Sequence, residues 1–166
     1  SAEDAAKIYG GFSNYSEGIY VGYRWYETAD AEGYWNNISN EYGNGYDGVV
    51  QYPFGYGMSY TTFAQKITTA EEKDGVVNFE VEVTNTGDTY AGKDVIQLYC
   101  ETPYTPGGTE KSKVVLCAFE KTALLQPGET GTYSLSVALE VIASYDETAA
   151  NGNGAYVLDA GDYAFY

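Results

Sequence analysis

Twenty-four carboxylates, two thiols and no histidine define what chemistry this chain can attempt. Without imidazole it lacks the usual general base near neutral pH, the Ser-His and Cys-His nucleophile pairs, and the commonest metal ligand. Acid–base work would fall to pairs of Asp and Glu. Glu80 and Glu82 share one face of a period-two segment, where a solvated edge is the plain expectation. Asp30, Glu32, Asn36, Asn37, Asn40, Glu41, Asn44 and Asp47 carry oxygens that calcium could use. Their spacing fits no EF-hand-type calcium loop, and a solvated loop is the better reading. Neither a glycine loop before Lys-Ser/Thr nor a dinucleotide fingerprint occurs. No catalytic, cofactor-binding or metal-binding residue is assigned on these grounds. Cys100 and Cys117 lie in apolar, strand-like stretches, where a buried inert thiol is the usual outcome. A disulfide across two strands is the alternative, decided by Cα spacing and side-chain direction.

The formal charge is −16, from 8 Lys plus Arg against 24 Asp plus Glu. Such a surface repels phosphate backbones and anionic lipid, so nucleic acid and membrane surfaces are excluded as partners. The acidity suits a soluble protein handling neutral ligands, and equally suits ordinary solubility. No apolar run approaches the length of a membrane span, and no leader-like pattern opens the chain. Ser1-Ala-Glu-Asp reads as a cut inside a longer protein, so localisation is not legible. Asn14-Tyr-Ser and Asn37-Ile-Ser are formal glycosylation acceptors, meaningful only in a eukaryotic secretory host.

Whatever these residues do, β-structure must position them. Aromatics are 16% of the chain, with 19 Tyr, 20 Gly and only 4 Pro, a balance that favours strands and turns over a helical bundle. Ile19, Val21 and Tyr23 alternate with Tyr20, Gly22 and Arg24, which predicts an extended segment that needs a covering partner. From Thr28 to Gly48 no period survives, and the stretch reads as a long surface loop. Its Tyr34, Trp35, Tyr42 and Tyr46 could stack on sugar rings or pack on a neighbouring domain, the latter being favoured. Tyr52 to Phe63 (YPFGYGMSYTTF) reads as a hinge. Pro53 holds Tyr52 extended, Gly55 and Gly57 permit turns, and Phe54, Tyr56 and Tyr60 offer surface to bury.

Beyond the hinge, strands are predicted over Phe63 to Thr69 and over Val76 to Asn85. In the second, Val77, Phe79, Val81 and Val83 face one side and Asn78, Glu80, Glu82 and Thr84 the other. Asn85 to Asp88 reads as a turn. Lys93 to Glu101 has apolar residues on both faces, as a central strand would. Val114 to Glu120 and Thr132 to Val137 follow, then a short helical turn over Glu140 to Tyr145. Ala155 to Leu158 and Asp162 to Phe165 are predicted to form a last hairpin around Asp159-Ala-Gly161. Roughly six or seven short strands with turns between them predict an antiparallel β-sandwich.

These segments also carry a resemblance. YPFGYGMSYTTF at Tyr52 to Phe63, and Tyr15 to Tyr26 (YSEGIYVGYRWY), resemble the end of the second domain, and the linker after it, in family 3 glycoside hydrolases. Val83 to Gly87 (VTNTG), Gly92 to Tyr99 (GKDVIQLY), Leu116 to Thr130 and Leu158 to Tyr163 (LDAGDY) resemble that family's fibronectin type III-like domain. Cys117 and Ala118 stand where the family often has a basic residue and Gly, which puts the edge of the sheet in question.

The resemblance implies a mostly β fold, an immunoglobulin/fibronectin type III-like antiparallel sandwich over residues 61–166, behind an extended N-terminal arm and linker over residues 1–60. It implies a non-catalytic piece of a beta-glucosidase-like enzyme, cytoplasmic or secreted in a bacterium, acting on beta-linked glucosides or related sugars. Retaining chemistry needs two carboxyls about 5 Å apart across the scissile bond. In the family these come from the barrel and the second domain, and no position here matches those motifs, so this chain alone is expected to be inactive. Its expected partners are the remaining catalytic domains of the parent glycosidase, docked through Tyr20, Tyr23, Trp25, Tyr52, Phe54, Tyr56 and Tyr60. A carbohydrate-binding module using surface Tyr and Trp, with glycans as partners, is the alternative.

Overall fold

The computed structural model describes residues 16–166; Asn14, with the first glycosylation acceptor, and Tyr15 lie outside the described residues. The segment expected to be extended from Ile19 to Arg24 is not. Gly18 and Gly22 take positive φ (58° and 62°), and helix α1 starts at once, spanning Tyr23–Ala31. Two left-handed glycines four residues apart bend the path away from a strand, at conformations where a Cβ would be strained. Arg, Glu and Ala further along then favour the helix. A six-residue alternation is too short to separate the two periods, and the residues after it decided the outcome.

The polar stretch after α1 is more ordered than a plain loop. Strands β1 (Ser39–Asn40) and β2 (Gly43–Asn44) form a small antiparallel hairpin, and a single 3-10 turn covers Gly45–Gly48. Asn40 organises it: its Oδ1 accepts from the Tyr42 and Gly43 amides (2.9 and 3.2 Å) and its Nδ2 donates to the Gly48 carbonyl (2.9 Å). A side chain that closes its own turn in this way leaves no hydrophobic periodicity to read.

The sandwich follows. β3 (Phe63–Lys73), β4 (Val76–Asn85) and β7 (Thr130–Ala138) form one antiparallel sheet in the order β3-β4-β7. β5 (Val95–Glu101), β6 (Val115–Lys121) and β10 (Ala164–Phe165) form the other, ordered β10-β5-β6. Phe79, Val81 and Val83 of β4 and Leu135 and Val137 of β7 meet Ile96, Leu98 and Cys100 of β5 in one core, with Leu125 and Ile142 closing it. The alternation predicted for β4 is realised: Asn78, Glu80 and Glu82 are exposed, and Glu82 pairs with Lys66 across the ladder. β5 is central as predicted, but its two faces differ. Ile96, Leu98 and Cys100 line the core, whereas Gln97 and Tyr99 face outward and are half-buried beneath the arm.

Between Leu98 and Tyr99 the β5–β6 register slips, so that Leu98 opposes Ala118 and Tyr99 opposes Leu116. Cys117 is the extra residue of that bulge, and its Sγ reaches the Leu98 carbonyl at 3.1 Å. The sheet edge that departs from the family pattern is thus locally irregular without losing its pairing.

The last hairpin was expected between residues 155–158 and 162–165, and the structure pairs the strands otherwise. β8 (Ser144–Asp146) and β9 (Ala155–Val157) join to one another, with the short helix α2 (Ala149–Gly152) between them. β10 instead adds to the free edge of β5, Phe165 opposite Cys100, and the Tyr99 and Tyr166 amides and carbonyls exchange bonds of 2.7 and 3.1 Å. There Phe165 packs on Phe79 with ring centroids 4.8 Å apart. Burying a ring against the core and pairing β5's open backbone outweighs a local hairpin. The helical turn expected over residues 140–145 is a 3-10 turn over Leu139–Ile142, followed by β8.

Both cysteines are free thiols, Cys100 buried and Cys117 partly so. Burial pushes Cys100 up to about 12 and Cys117 up to about 11, from 9.0. The protonated thiols are the forms the fold favours. Their contribution to stability is therefore complete below pH 9 and is lost as pH climbs through these values. At pH 8 alkylation of either thiol by iodoacetamide is expected to be on the order of 100-fold slower than in the urea-unfolded chain. Timed mass spectrometry checks it, and equal rates in the two states would contradict the burial described.

Candidate functional site

The site is the junction where the arm lies on the outer face of β5 and β6. Tyr23, the first residue of α1, stacks on Phe54 of the hinge (centroids 4.6 Å, planes at 23°) and meets the edge of Tyr99 at 6.0 Å. Its hydroxyl accepts from the Leu116 amide at 2.8 Å, so one side chain links helix, hinge and both strands. Thr28, a turn further along α1, donates to the Arg24 carbonyl at 2.6 Å and accepts from the Lys113 amide at 2.8 Å. Tyr20 donates to the Lys111 carbonyl at 3.4 Å.

The hinge needs its glycine here. Gly55 has φ 83°, and a Cβ built on it would lie 2.3 Å from the side-chain amide of Gln97. The backbone therefore approaches β5 more closely than any other residue permits. Tyr56 closes a turn onto the Pro53 carbonyl (3.0 Å), and its ring faces Tyr52 at 4.9 Å. Phe54 remains half exposed, as do Tyr52 and Tyr56, while Met58 and Tyr60 are 91% and 93% exposed. Tyr60 meets Tyr90 edge-on, with ring centroids 6.4 Å apart. Trp25 points from the other face of α1, with Tyr20 at 6.3 Å and Tyr34 at 5.8 Å, both edge-on. Of the residues singled out from sequence, Tyr23 and Phe54 come together, Tyr52 pairs with Tyr56, Tyr20 pairs with Trp25, and Tyr60 stands apart.

Electrostatics around the junction are acidic. Tyr46 donates to Glu27 Oε1 at 2.5 Å; burial first, then this bond, raises the phenol's pKa well above its ordinary value. Tyr99 is raised as well, by burial and then by Tyr23 and Glu27 beside it. Among the described residues no group of three His, Cys, Asp or Glu could hold a metal ion. Nor is any helix among them long and apolar enough to cross a membrane.

Two structural residues escaped the sequence reading. Asn85, taken as the start of a turn, is fully buried. Its Nδ2 donates to the Tyr90 and Leu125 carbonyls (2.9 and 3.0 Å), and its Oδ1 accepts from Thr61 Oγ1 (2.6 Å) and the Gly87 amide (3.1 Å). Lys111, one of eight basic residues, buries its side chain and donates to the Pro103 carbonyl (2.6 Å) and to Asp159. A polar residue ending an apolar alternation on its core face, as Asn85 does after Phe79, Val81 and Val83, was the available clue.

Comparison with known proteins agrees with this architecture. Residues 94–166 match the fibronectin type III-like domain family. A beta-glucosidase of Ruminococcus albus is 40% identical over 153 residues, which is 92% of this chain and 14% of the relative. Beta-glucosidase A of Butyrivibrio fibrisolvens is 35% identical over 170 residues, 93% of this chain and 18% of the relative. The solved beta-glucosidase of Paenibacillus barengoltzii superposes with a TM-score of 0.70 at 42% identity, over 91% of this chain and 15% of that one. A Kluyveromyces marxianus beta-glucosidase, solved in complex with glucose, gives 0.72 at 32% identity, again over 91% and 15%.

Two packed antiparallel sheets with this match make the class a fibronectin type III-like β-sandwich. The chain spans less than a fifth of the length of these relatives. It is homologous to the portion of family 3 beta-glucosidases that carries the fibronectin type III-like domain.

Proposed function

We propose that this chain scaffolds the catalytic domains of a beta-glucosidase-type glycoside hydrolase, with residues 61–166 as the sandwich and residues 1–60 as arm and linker. Tyr20, Trp25, Tyr52, Phe54, Tyr56 and Tyr60 form the side that meets those domains, and Tyr23 supports Phe54 from beneath. The observation that carries the reading is the hinge itself. Tyr52, Phe54, Tyr56, Met58 and Tyr60 are all exposed within nine residues, on a segment held to β5 at Gly55. So many exposed apolar side chains on one short segment mark a contact face.

The test is made in the full-length parent. Changing Met58 and Tyr60 together to Ser is expected to lower the temperature at which aryl beta-glucoside hydrolysis is lost on heating. The isolated 1–166 chain should melt where it did before, because both side chains stand almost wholly in solvent. An unchanged inactivation temperature in the parent would overturn the docking reading.

A second reading, glycan binding, has one observation in its favour: the exposed rings of Trp25 and Tyr34 in edge contact on α1 and the turn after it. Affinity electrophoresis against a glycan panel decides it, and unaltered mobility in millimolar sugar removes it.

A further inference from the structure

Beside the Tyr23–Phe54 stack, on the β5 side, lies an open hollow of about 430 Å³ walled by Tyr23, Phe54, Tyr56, Tyr99 and Tyr166, with Glu27 at its side. Of the described residues that line it, only Glu27 carries a charged side chain. Aromatic faces attract cations, and a guanidinium, flat and weakly hydrated, suits such walls better than an ammonium. Other ligand classes fit less well. A sugar needs several free hydrogen-bonding groups, yet Glu27 Oε1 is taken by Tyr46 and Gln97 Oε1 by Tyr99 at 2.7 Å. An apolar side chain would cover the Glu27 carboxylate and leave it without a counter-charge, a costly arrangement. This chain has few cations to provide one: eight basic residues against twenty-four acidic, and Lys113, which stands near Tyr166, is already paired with Glu101.

We propose that this hollow receives a guanidinium, that of an arginine side chain on the domains docked against the hinge. The assignment rests on the docking reading above and adds the chemistry of its central contact. The stem of the arginine lies along Phe54 and Tyr56, its planar head stacks against the Tyr99 side, and the remaining lone pairs of Glu27 accept its N–H groups.

N-ethylguanidinium chloride titrated into the isotope-labelled 1–166 chain at constant chloride tests this directly. Saturable amide shifts are expected around Tyr23, Phe54, Gln97 and Tyr99, with a dissociation constant on the order of 10 mM for so small a probe. N-ethylurea, the uncharged analogue, should leave those amides unmoved. Glu27→Gln should weaken binding by about tenfold. Because that change also disturbs Tyr46, Tyr46→Phe serves as its control: it keeps the carboxylate and should bind within about twofold of the parent chain. No saturation with N-ethylguanidinium, equal shifts with the urea, tighter binding of ethylammonium or glucose, or loss of binding in Tyr46→Phe would each overturn the proposal. Heat inactivation of the Met58/Tyr60 variant reports docking independently, because neither side chain lines the hollow. Domains that dock without the guanidinium effect defeat this assignment alone, and an unchanged inactivation temperature defeats the docking reading beneath it.

Discussion

Asn85→Asp is expected to lower the unfolding free energy of the chain at pH 7 by about 3–5 kcal/mol. The exchange replaces one NH₂ by oxygen and changes almost nothing in volume. Yet Nδ2 donates to two backbone carbonyls, those of Tyr90 and Leu125, within a site closed to solvent. A carboxylate there faces two acceptors with lone pairs and no water. The variant's folded-state pKa must therefore rise above the ordinary Asp value of about 3.9. The sign of the pH dependence follows. Whatever stability the protonated form retains is present below that ordinary value and lost as pH rises, so the variant's deficit is smallest in acid. Asn85→Ala removes the bonds to Thr61 and Gly87 as well and should cost about 3 kcal/mol, whereas Thr61→Val removes one partner and should cost about 1 kcal/mol. Urea unfolding at pH 4 and pH 7 checks all three. A deficit below about 1 kcal/mol for Asn85→Ala would show that the network is not what joins Thr61, at the hinge end, to Tyr90 and Leu125.

Tyr23→Ala is expected to cost about 2–4 kcal/mol, and to cost it locally. The substitution deletes the Phe54 stack and the Tyr99 edge contact, and it leaves the Leu116 amide without its side-chain acceptor. The ring lies on the outer face of β5, against Tyr99, so the packing of Phe79, Val81, Leu98, Leu135 and Val137 in the core is kept. Amide exchange should accelerate across Tyr23–Ala31 and residues 52–56, while Phe79, Val81 and Leu98 remain protected. Tyr23→Phe keeps the stack and loses only the hydroxyl, for about 1 kcal/mol. Uniformly faster exchange in core and arm alike would refute the view that Tyr23 is a clasp between two parts that are otherwise lightly joined.

The contrast between these two residues explains what could be read in advance. Tyr23 belongs to a segment whose alternation reads as an uncovered strand in need of a partner, and it is among the expected contact residues. Its helix was not foreseen, because the alternation around Val21 and Tyr23 fits the first turn of a helix as well as a strand. Asn85 was passed over as turn chemistry, since Asn before Thr-Gly is common in turns and nothing local reports that its side chain points inward. Lys111 was equally silent, because its partners Pro103 and Asp159 lie 8 and 48 residues away.

Phe79, Val81 and Val83 with wet neighbours, the turn residues between runs, and the glycine at position 55 determined on their own that this is a sandwich with a constrained hinge. Side-chain period and backbone φ are local properties, and the order of neighbouring residues carries them. Only the tertiary structure decided that β10 closes on β5 rather than on β9, that Cys117 is squeezed into a bulge, and that Tyr23, Phe54, Tyr99 and Glu27 surround one hollow. Each of these depends on which distant edge or face is still unpaired when the chain arrives there. That is a property of the assembled sheets, and no window of sequence contains it.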